Sequence, residues 1–480
     1  MQPNRTAFLI LPFCLLLATV LCQVPAEAKV VLPSIFSDGM VIQRKQDVVV
    51  WGKAAPAEQI QLTFAGQTRR ASADAKGSWS VTFSALKPGP DVDLIVRGSN
   101  EIHIRNIKIG DVYLCSGQSN MALPLNQTDF RKEDIADLDK LNVRIYVMPV
   151  ATSSSELFDP HGTWMPINDK SVLTFPAIPY LFSRQLSQLE KLPVGIVSAT
   201  CCGSYLESFL PPETVKRLHL QPTPLIPNTV IGNNFRVLLA PFCKARFAGM
   251  LWYQGEANLL NPAQYGTHFS AFITDLRKRL EAPNLPFYFV QLPSFGWKQE
   301  AVIDSYWADM REEQSAAITL PNVYMVVSID TDTDAPSLHP KEKRELARRL
   351  ANLAFQKNKG TAIDHLPSIA KLQTEGDTIT VSLNIPQGQL QTLDQMPPRG
   401  FQIAGENRRF YWAEATLSGN SIKLSCDEVV APQAVRYAYA DCPDCNVSYN
   451  GMPLPPFRTD AWPTNPKLNP AARTHAVAAQ

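Results

Sequence analysis

Gly110-Asp-Val-Tyr-Leu-Cys-Ser-Gly-Gln-Ser-Asn-Met121 begins as an apolar strand pattern, passes through Gly117 and reaches Ser119 just beyond the strand's end. A strand holds the backbone rigidly, and glycine permits a sharp turn with no Cβ to clash. Ser119 would then emerge where a helix begins, beside N–H groups that lack an intrahelical partner and carry partial positive charge. Such groups can stabilise the oxyanion of an acyl transfer, so the segment suits a nucleophile. The plainer alternative is a strand–turn–helix joint whose serine only caps the helix. The rest of the chain decides between them.

Residues 108–358 alternate strand-like and helix-like patterns. Apolar runs occur at Val143-Arg-Ile-Tyr-Val147, Val194-Gly-Ile-Val-Ser198, Phe247-Ala-Gly-Met-Leu-Trp-Tyr253, Phe287-Tyr-Phe-Val-Gln-Leu292 and Val323-Tyr-Met-Val-Val-Ser328. Helical patterns lie between them, as at residues 180–189 and 265–280. Continuous apolar strands alternating with helices predict a parallel α/β sheet. Residues 29–107 read as all-β, with short runs such as Val48-Val-Val-Trp51, Gln59-Ile-Gln-Leu-Thr-Phe64, Ser78-Trp-Ser-Val-Thr-Phe83 and Val92-Asp-Leu-Ile-Val96. Several alternate with period two between Gly, Pro, Asp and Asn, which predicts a small sandwich-like domain. Residues 359–460 are β-rich again, clearest at Thr378-Ile-Thr-Val-Ser-Leu383, Ser421-Ile-Lys-Leu-Ser425 and Ala434-Val-Arg-Tyr-Ala-Tyr439, and residues 461–480 read as a loose tail.

The N-terminus reads as an export signal. Arg5 supplies the positive start, residues 7–21 form an apolar run broken by Pro12 and Thr19, and Ala26-Glu27-Ala28 is a small-x-small cleavage site. The run is shorter than the roughly 20 apolar residues that span a bilayer. A signal peptide over residues 1–28 and a secreted or periplasmic protein are therefore expected, with no transmembrane segment after signal removal. With 45 basic against 44 acidic residues, nothing favours nucleic-acid binding. Seven cysteines follow residue 28, an odd number that leaves at least one thiol unpaired. Cys442-Pro-Asp-Cys445 lacks a second CxxC and a nearby histidine, so it reads as a local disulfide or two loop thiols rather than a zinc site. No metal-ligand cluster or phosphate-binding glycine loop stands out, and no cofactor is implied.

A serine nucleophile needs a base within hydrogen-bond reach, and in an open α/β sheet the partners must converge at the carboxyl ends of the strands. Four segments qualify. Ser119 follows the first strand, Gly203 follows residues 194–199, Gln254 follows Trp252-Tyr253, and His339 follows residues 323–329 across an acidic loop. Of seven histidines His339 is best placed, because Pro340 suits a helix's first turn and Leu346, Leu350 and Leu353 give that helix a packed face.

The blocks GDVYLCSGQSNM, CGSYLESF, LWYQGEAN and LHPKEKRELARRLA, in this order, resemble the sialate O-acetylesterases of the SGNH hydrolase superfamily. The resemblance spans nearly all of the chain after residue 28, from Leu32-Pro-Ser-Ile-Phe-Ser-Asp-Gly-Met-Val-Ile-Gln-Arg44 to Pro456-Phe-Arg-Thr-Asp460. It implies an SGNH-like parallel sheet flanked by helices. It also implies an O-acetylated sugar as substrate, a sialoglycan or free sialic acid. Ser119 would be nucleophile and oxyanion donor, Gly203 a second N–H donor, Gln254 a side-chain donor in preference to Asn258, and His339 the general base.

Two departures bear on mechanism. Many superfamily members have an aspartate three residues before the histidine, where this chain has Pro336; Asp334, Asp332 and Asp330 are the nearest acids. Either Asp334 is brought round, or a backbone carbonyl orients His339 in a Ser–His dyad. Proline's missing N–H makes a tight turn that folds Asp334 under the ring harder to build, which favours the dyad. Cys202-Gly203-Ser204 also replaces the more usual Gly-Gly-Thr. Glu207 and Glu256 fit hydrogen bonding beneath the site better than a glycosidase pair. The rival readings are an acetyl-xylan or other carbohydrate O-acetylesterase, and a glycan-binding protein without catalysis.

Overall fold

The apolar run before Ser119 is the second half of a 17-residue strand, Glu101–Gly117, whose residues from Ile109 onward are all buried. The computed structural model describes residues 29–149, 151–221, 230–298, 301–331, 337–363 and 366–465. The expected signal peptide and residues 466–480 of the expected tail lie outside the described residues.

The long strand is central to a sheet whose order is Val323–Val326, Phe287–Val290, Gly249–Tyr253, Glu101–Gly117, Val194–Thr200, Val143–Val147 and Thr163–Pro166. Every neighbouring pair is parallel except the last, where Thr163–Pro166 runs antiparallel at the edge. Side chains alternate between the faces of a sheet, and both faces are covered. On one, Tyr113 meets Phe182 of the helix Ala177–Glu190 edge to face at 4.9 Å. On the other, Trp252, in register with Ser116, packs on Phe209 and on Phe272 of the helix Tyr265–Arg279 at 5.1 and 4.9 Å. These are the buried parallel strands and covering helices that the sequence pattern predicts. Tyr306–Ser315 is a further helix that the pattern did not reveal.

The N-terminal β region is continuous with this sheet. Val41–Gln43 pairs parallel with Lys108 to Gly110 of the long strand, and Val92–Arg97 pairs antiparallel with its first half. Gln59–Phe64 and Gln67–Ser72 extend the sheet outward. A separate pair, Val48–Lys53 with Ser78–Phe83, closes over it through Trp79, Val81 and Phe83, and Phe83 meets Phe64 edge to face at 5.4 Å. This gives the sandwich-like packing that alternation suggested, but the passage into the α/β region runs inside one strand instead of through a linker.

The C-terminal region contains an antiparallel sheet ordered Ser368–Glu375, Thr378–Asn384, Ser421–Ser425 and Glu414–Ser418, and a second built on Phe401–Ala404 and Ala434–Tyr437. Arg311 ties it to the α/β sheet. Its guanidinium is fully buried and donates to the carbonyls of Leu292, Pro293, Ala440 and Asp441 at 2.5 to 3.0 Å. Burial pulls its pKa down to about 10. Cys442 and Cys445, close to this junction, are both free thiols, so the CxxC spacing forms no local disulfide.

Removing the guanidinium would leave the buried Leu292 and Ala440 carbonyls without a donor, while Pro293 keeps the Trp307 indole N–H and Asp441 the Phe295 N–H, and each donor lost from a buried carbonyl costs about 1–3 kcal/mol. Arg311→Leu is therefore expected to lower the unfolding free energy by roughly 3 kcal/mol or more. Urea denaturation followed by tryptophan fluorescence checks this; an unchanged midpoint would contradict the anchoring role.

Candidate active site

Gly117 lies in register between Thr200 and Tyr253, the last residues of the two flanking strands. The Gln118 N–H donates to the Tyr253 carbonyl, and the Cys201 N–H to the Gly117 carbonyl, both at 3.0 Å. Gly117 has φ +133°, and a Cβ there would sit 2.1 Å from the Tyr253 carbonyl oxygen. No side chain fits that gap. The chain turns at this point and enters a single helical turn, Ser119–Ala122, of which Ser119 is the first residue. The capping position belongs to Gln118, whose side chain caps nothing, so Ser119 is not the helix cap.

His339 reaches it from the far side of the sheet. Its Nε2 lies 2.8 Å from Ser119 Oγ, and both residues are half-buried, reachable from solvent yet held. With Nε2 unprotonated, the serine hydroxyl donates to it. Pro340 is not in a helical first turn as expected: the helix begins at Arg344, after Lys343 as its cap, and His339 stands in the preceding loop. That loop is pinned from the side of Ser119. The Asp129 N–H donates to the Lys341 carbonyl at 3.1 Å, and Asn120 Nδ2 donates to the Leu338 carbonyl at 2.9 Å. Asp330 is paired with Arg349 at 2.5 Å and serves that cation. Asp332, Asp334 and Pro336 lie outside the described residues.

Gly203 follows the strand Val194–Thr200 with φ +64°, the left-handed conformation that favours glycine. It sits between the exposed Cys202 and Ser204, whose hydroxyl accepts from Asn234 at 2.9 Å.

Gln254 follows the strand Gly249–Tyr253. It is fully buried, and its Nε2 already donates to the Ser204 carbonyl at 3.1 Å and to Asn258 Oδ1 at 2.8 Å. Its Oε1 accepts from the Tyr265 hydroxyl at 2.9 Å. An amide has two hydrogens, and both are engaged here, so Gln254 braces the loop of Ser204. Asn258 is committed too, its Nδ2 donating to Glu207 at 2.9 Å.

The two glutamates serve this support. Glu207 accepts from Asn258 and pairs with His268 Nδ1 at 3.0 Å. Burial works to raise its pKa, but the bonds from His268 and Asn258 outweigh it and hold the carboxyl below the usual range. Glu256 accepts from Asn120 Nδ2 at 2.5 Å, and here burial wins and pushes the carboxyl up. Sequence reasoning assigned no role to Asn120, Lys343 or Tyr265. The only signal was adjacency, since Asn120 directly follows Ser119. Among the described residues no group of three or more His, Cys, Asp or Glu side chains could hold a metal, and no helix is long and apolar enough to cross a membrane.

Gly117→Ala should displace Ser119 by the better part of an ångström, because the Tyr253 carbonyl cannot yield without unpairing a strand. Misplacement on that scale costs about a hundredfold in rate. Turnover of a chromogenic acetyl ester near the unmodified rate would show the close approach to be unimportant.

Three comparisons bear on this geometry. Residues 109–356 match the family model described as carbohydrate esterase, sialic acid-specific acetylesterase. Sialate O-acetylesterase of Homo sapiens is 26% identical over 489 residues, covering 88% of this chain and 91% of that protein. The mouse sialate O-acetylesterase is 24% identical over 503 residues, covering 87% and 92%. Among solved structures, a carbohydrate acetylesterase from Xanthomonas citri superimposes with a TM-score of 0.83 at 30% identity, covering 90% of this chain and 100% of that one.

Proposed function

The chain belongs to the sialic acid-specific acetylesterase family of carbohydrate esterases, and on that premise we propose that it removes O-acetyl groups from sialic acids through an acetyl-serine intermediate on Ser119. It is a carboxylic ester hydrolase. The 2.8 Å approach of His339 Nε2 to Ser119 Oγ, at the carboxyl ends of the parallel strands, is the observation that carries the proposal.

Ser119 Oγ attacks the acetyl carbonyl while His339 Nε2 takes its proton. The carbonyl oxygen becomes an oxyanion, held by the N–H groups of Ser119 and Gly203. His339 then returns the proton to the sugar oxygen as the carbon–oxygen bond breaks, and the deacetylated sugar leaves. Water, deprotonated by His339, attacks the acetyl-serine and releases acetate. Gln254 contributes indirectly, by fixing the Ser204 carbonyl and with it the loop that presents Gly203. The site requires no cofactor for this sequence of steps.

We also propose that the protein acts outside the cytoplasm after cleavage behind Ala28. Support comes from the signal-like residues 1–28. Protein recovered from its host should begin at Lys29 by mass spectrometry; a retained apolar run would contradict this.

Ser119→Ala should abolish hydrolysis, by several orders of magnitude, with the fold intact. A panel of O-acetylated sialic acids beside acetylated xylan tests the substrate. Preference for the sialic acid esters is the expected result. Preference for xylan would move the assignment to a broader carbohydrate esterase, and a fully active Ser119→Ala would remove the nucleophile.

A further inference from the structure

We propose that Asn120 is a positioning residue for the base, setting the His339 imidazole against Ser119 by holding the backbone immediately before it. The inference rests on the reading of Ser119 and His339 as nucleophile and base. Asn120 directly follows Ser119 and is 1% exposed. Its Nδ2 donates to the Leu338 carbonyl at 2.9 Å and to Glu256 Oε1 at 2.5 Å, and its Oδ1 accepts from Lys343 Nζ at 2.7 Å. Leu338 and Lys343 flank His339 in sequence, so one side chain grips the base's loop on both sides. Glu256 brings in the segment that follows the strand Gly249–Tyr253.

The loop needs such a grip. His339 stands between the strand Val323–Val326 and the helix Arg344–Lys359, where the backbone of residues 337–343 belongs to no sheet or helix. A carbonyl turned inward outside regular structure must find its donor elsewhere, and the carbonyl of Leu338 finds it on the residue next to the nucleophile. A displacement of Ser119 therefore moves the base with it. The side chain must be asparagine on chemical grounds. It needs two N–H donors and one acceptor on a short stem: aspartate has no donor, serine has one, and glutamine is a methylene too long. Glu256 and Lys343 meet through this amide, and Lys343 also lies 5.3 Å over the Tyr253 ring.

The test pairs Asn120→Ala with the double variant Asn120→Asp, Glu256→Gln. In the double variant the amide introduced at position 256 can donate to the carboxylate introduced at position 120. Lys343 keeps its acceptor, and the buried groups remain one carboxyl, one amide and one ammonium, as before. The donor to the Leu338 carbonyl is lost. Steady-state kinetics on a chromogenic acetyl ester are read beside thermal melting, with Ser119→Ala and His339→Ala as controls. The expected result is a double variant that melts near the unmodified protein but has kcat lowered about a hundredfold, with KM within about twofold. Asn120→Ala should show the same split between kcat and KM. Full kcat in either variant, with both controls inactive, would overturn the inference alone and leave Asn120 as a prop for Glu256. Active controls would overturn the nucleophile–base reading and this inference together.

Discussion

The carbonyl oxygen of Tyr253 lies against the α-carbon of Gly117 too closely for any side chain, and the site is built outward from that approach. Two parallel strands run in register up to this point and stop. The long strand cannot continue straight, because its next N–H is taken by Tyr253 and its last carbonyl by Cys201. The turn this forces lifts Ser119 out of the sheet at the first position of a helical turn. The same strand ends begin the loops that carry Gly203 and Gln254. Parallel pairing therefore does more than bury apolar residues: it sets the relative heights of three loops to within a hydrogen bond's tolerance.

Polarity changes sharply with depth. Ser119 and His339 are half-buried, while Asn120, Gln254, Glu256, Asn258 and Lys343 just beneath them are buried almost completely. Burying so many polar groups is costly unless each finds a partner, and a satisfied network in a dry setting is stiffer than its separate bonds imply. Gln254 illustrates the result. All of its amide is engaged within the protein. Its bond to the Ser204 carbonyl holds the loop that also carries Gly203. Glu207 and Glu256 belong to the same layer, which is why two carboxylates near a sugar site need not be acid and base.

The sheet was legible in the sequence because its strands are continuous apolar runs, and Trp252 or Ile196 has no other place to go. Ser119 and His339 were legible because each follows such a strand, and position in a parallel sheet determines which ends meet. Other elements carried no comparable mark. Gln67–Ser72 is a strand made of Gln, Thr, Arg, Ala and Ser, with neither face buried, and only its neighbour Gln59–Phe64 gives it a reason to be extended. Tyr306–Ser315 buries Arg311 and Gln314 beside Trp307 and Met310, so polar and apolar residues share its inner face and blur the helical period. The family resemblance pointed to Gln254 as a donor, but it could not show that Ser204 and Asn258 had already taken both hydrogens. Pro340 suggested a helix start that Arg344 actually provides, since proline fixes one dihedral and says nothing of where the hydrogen-bond ladder begins.

The flanking β regions are joined to the site mechanically, not merely tethered to it. The first half of the strand that ends at Gly117 is paired with the N-terminal strands, so those strands hold one end of the element that positions Ser119. On the other flank, Arg311 clamps the chain just after the strand Phe287–Val290 to the C-terminal carbonyls of Ala440 and Asp441. That strand lies between those leading to Gln254 and to His339. A shift of either flank would therefore be felt as a change in strand height at the site. The contact of a hydroxyl and an imidazole 2.8 Å apart, proposed here as nucleophile and base, tolerates little of that. The length of the chain beyond its α/β sheet is, on this view, part of how the sheet keeps two side chains 220 positions apart in sequence in contact.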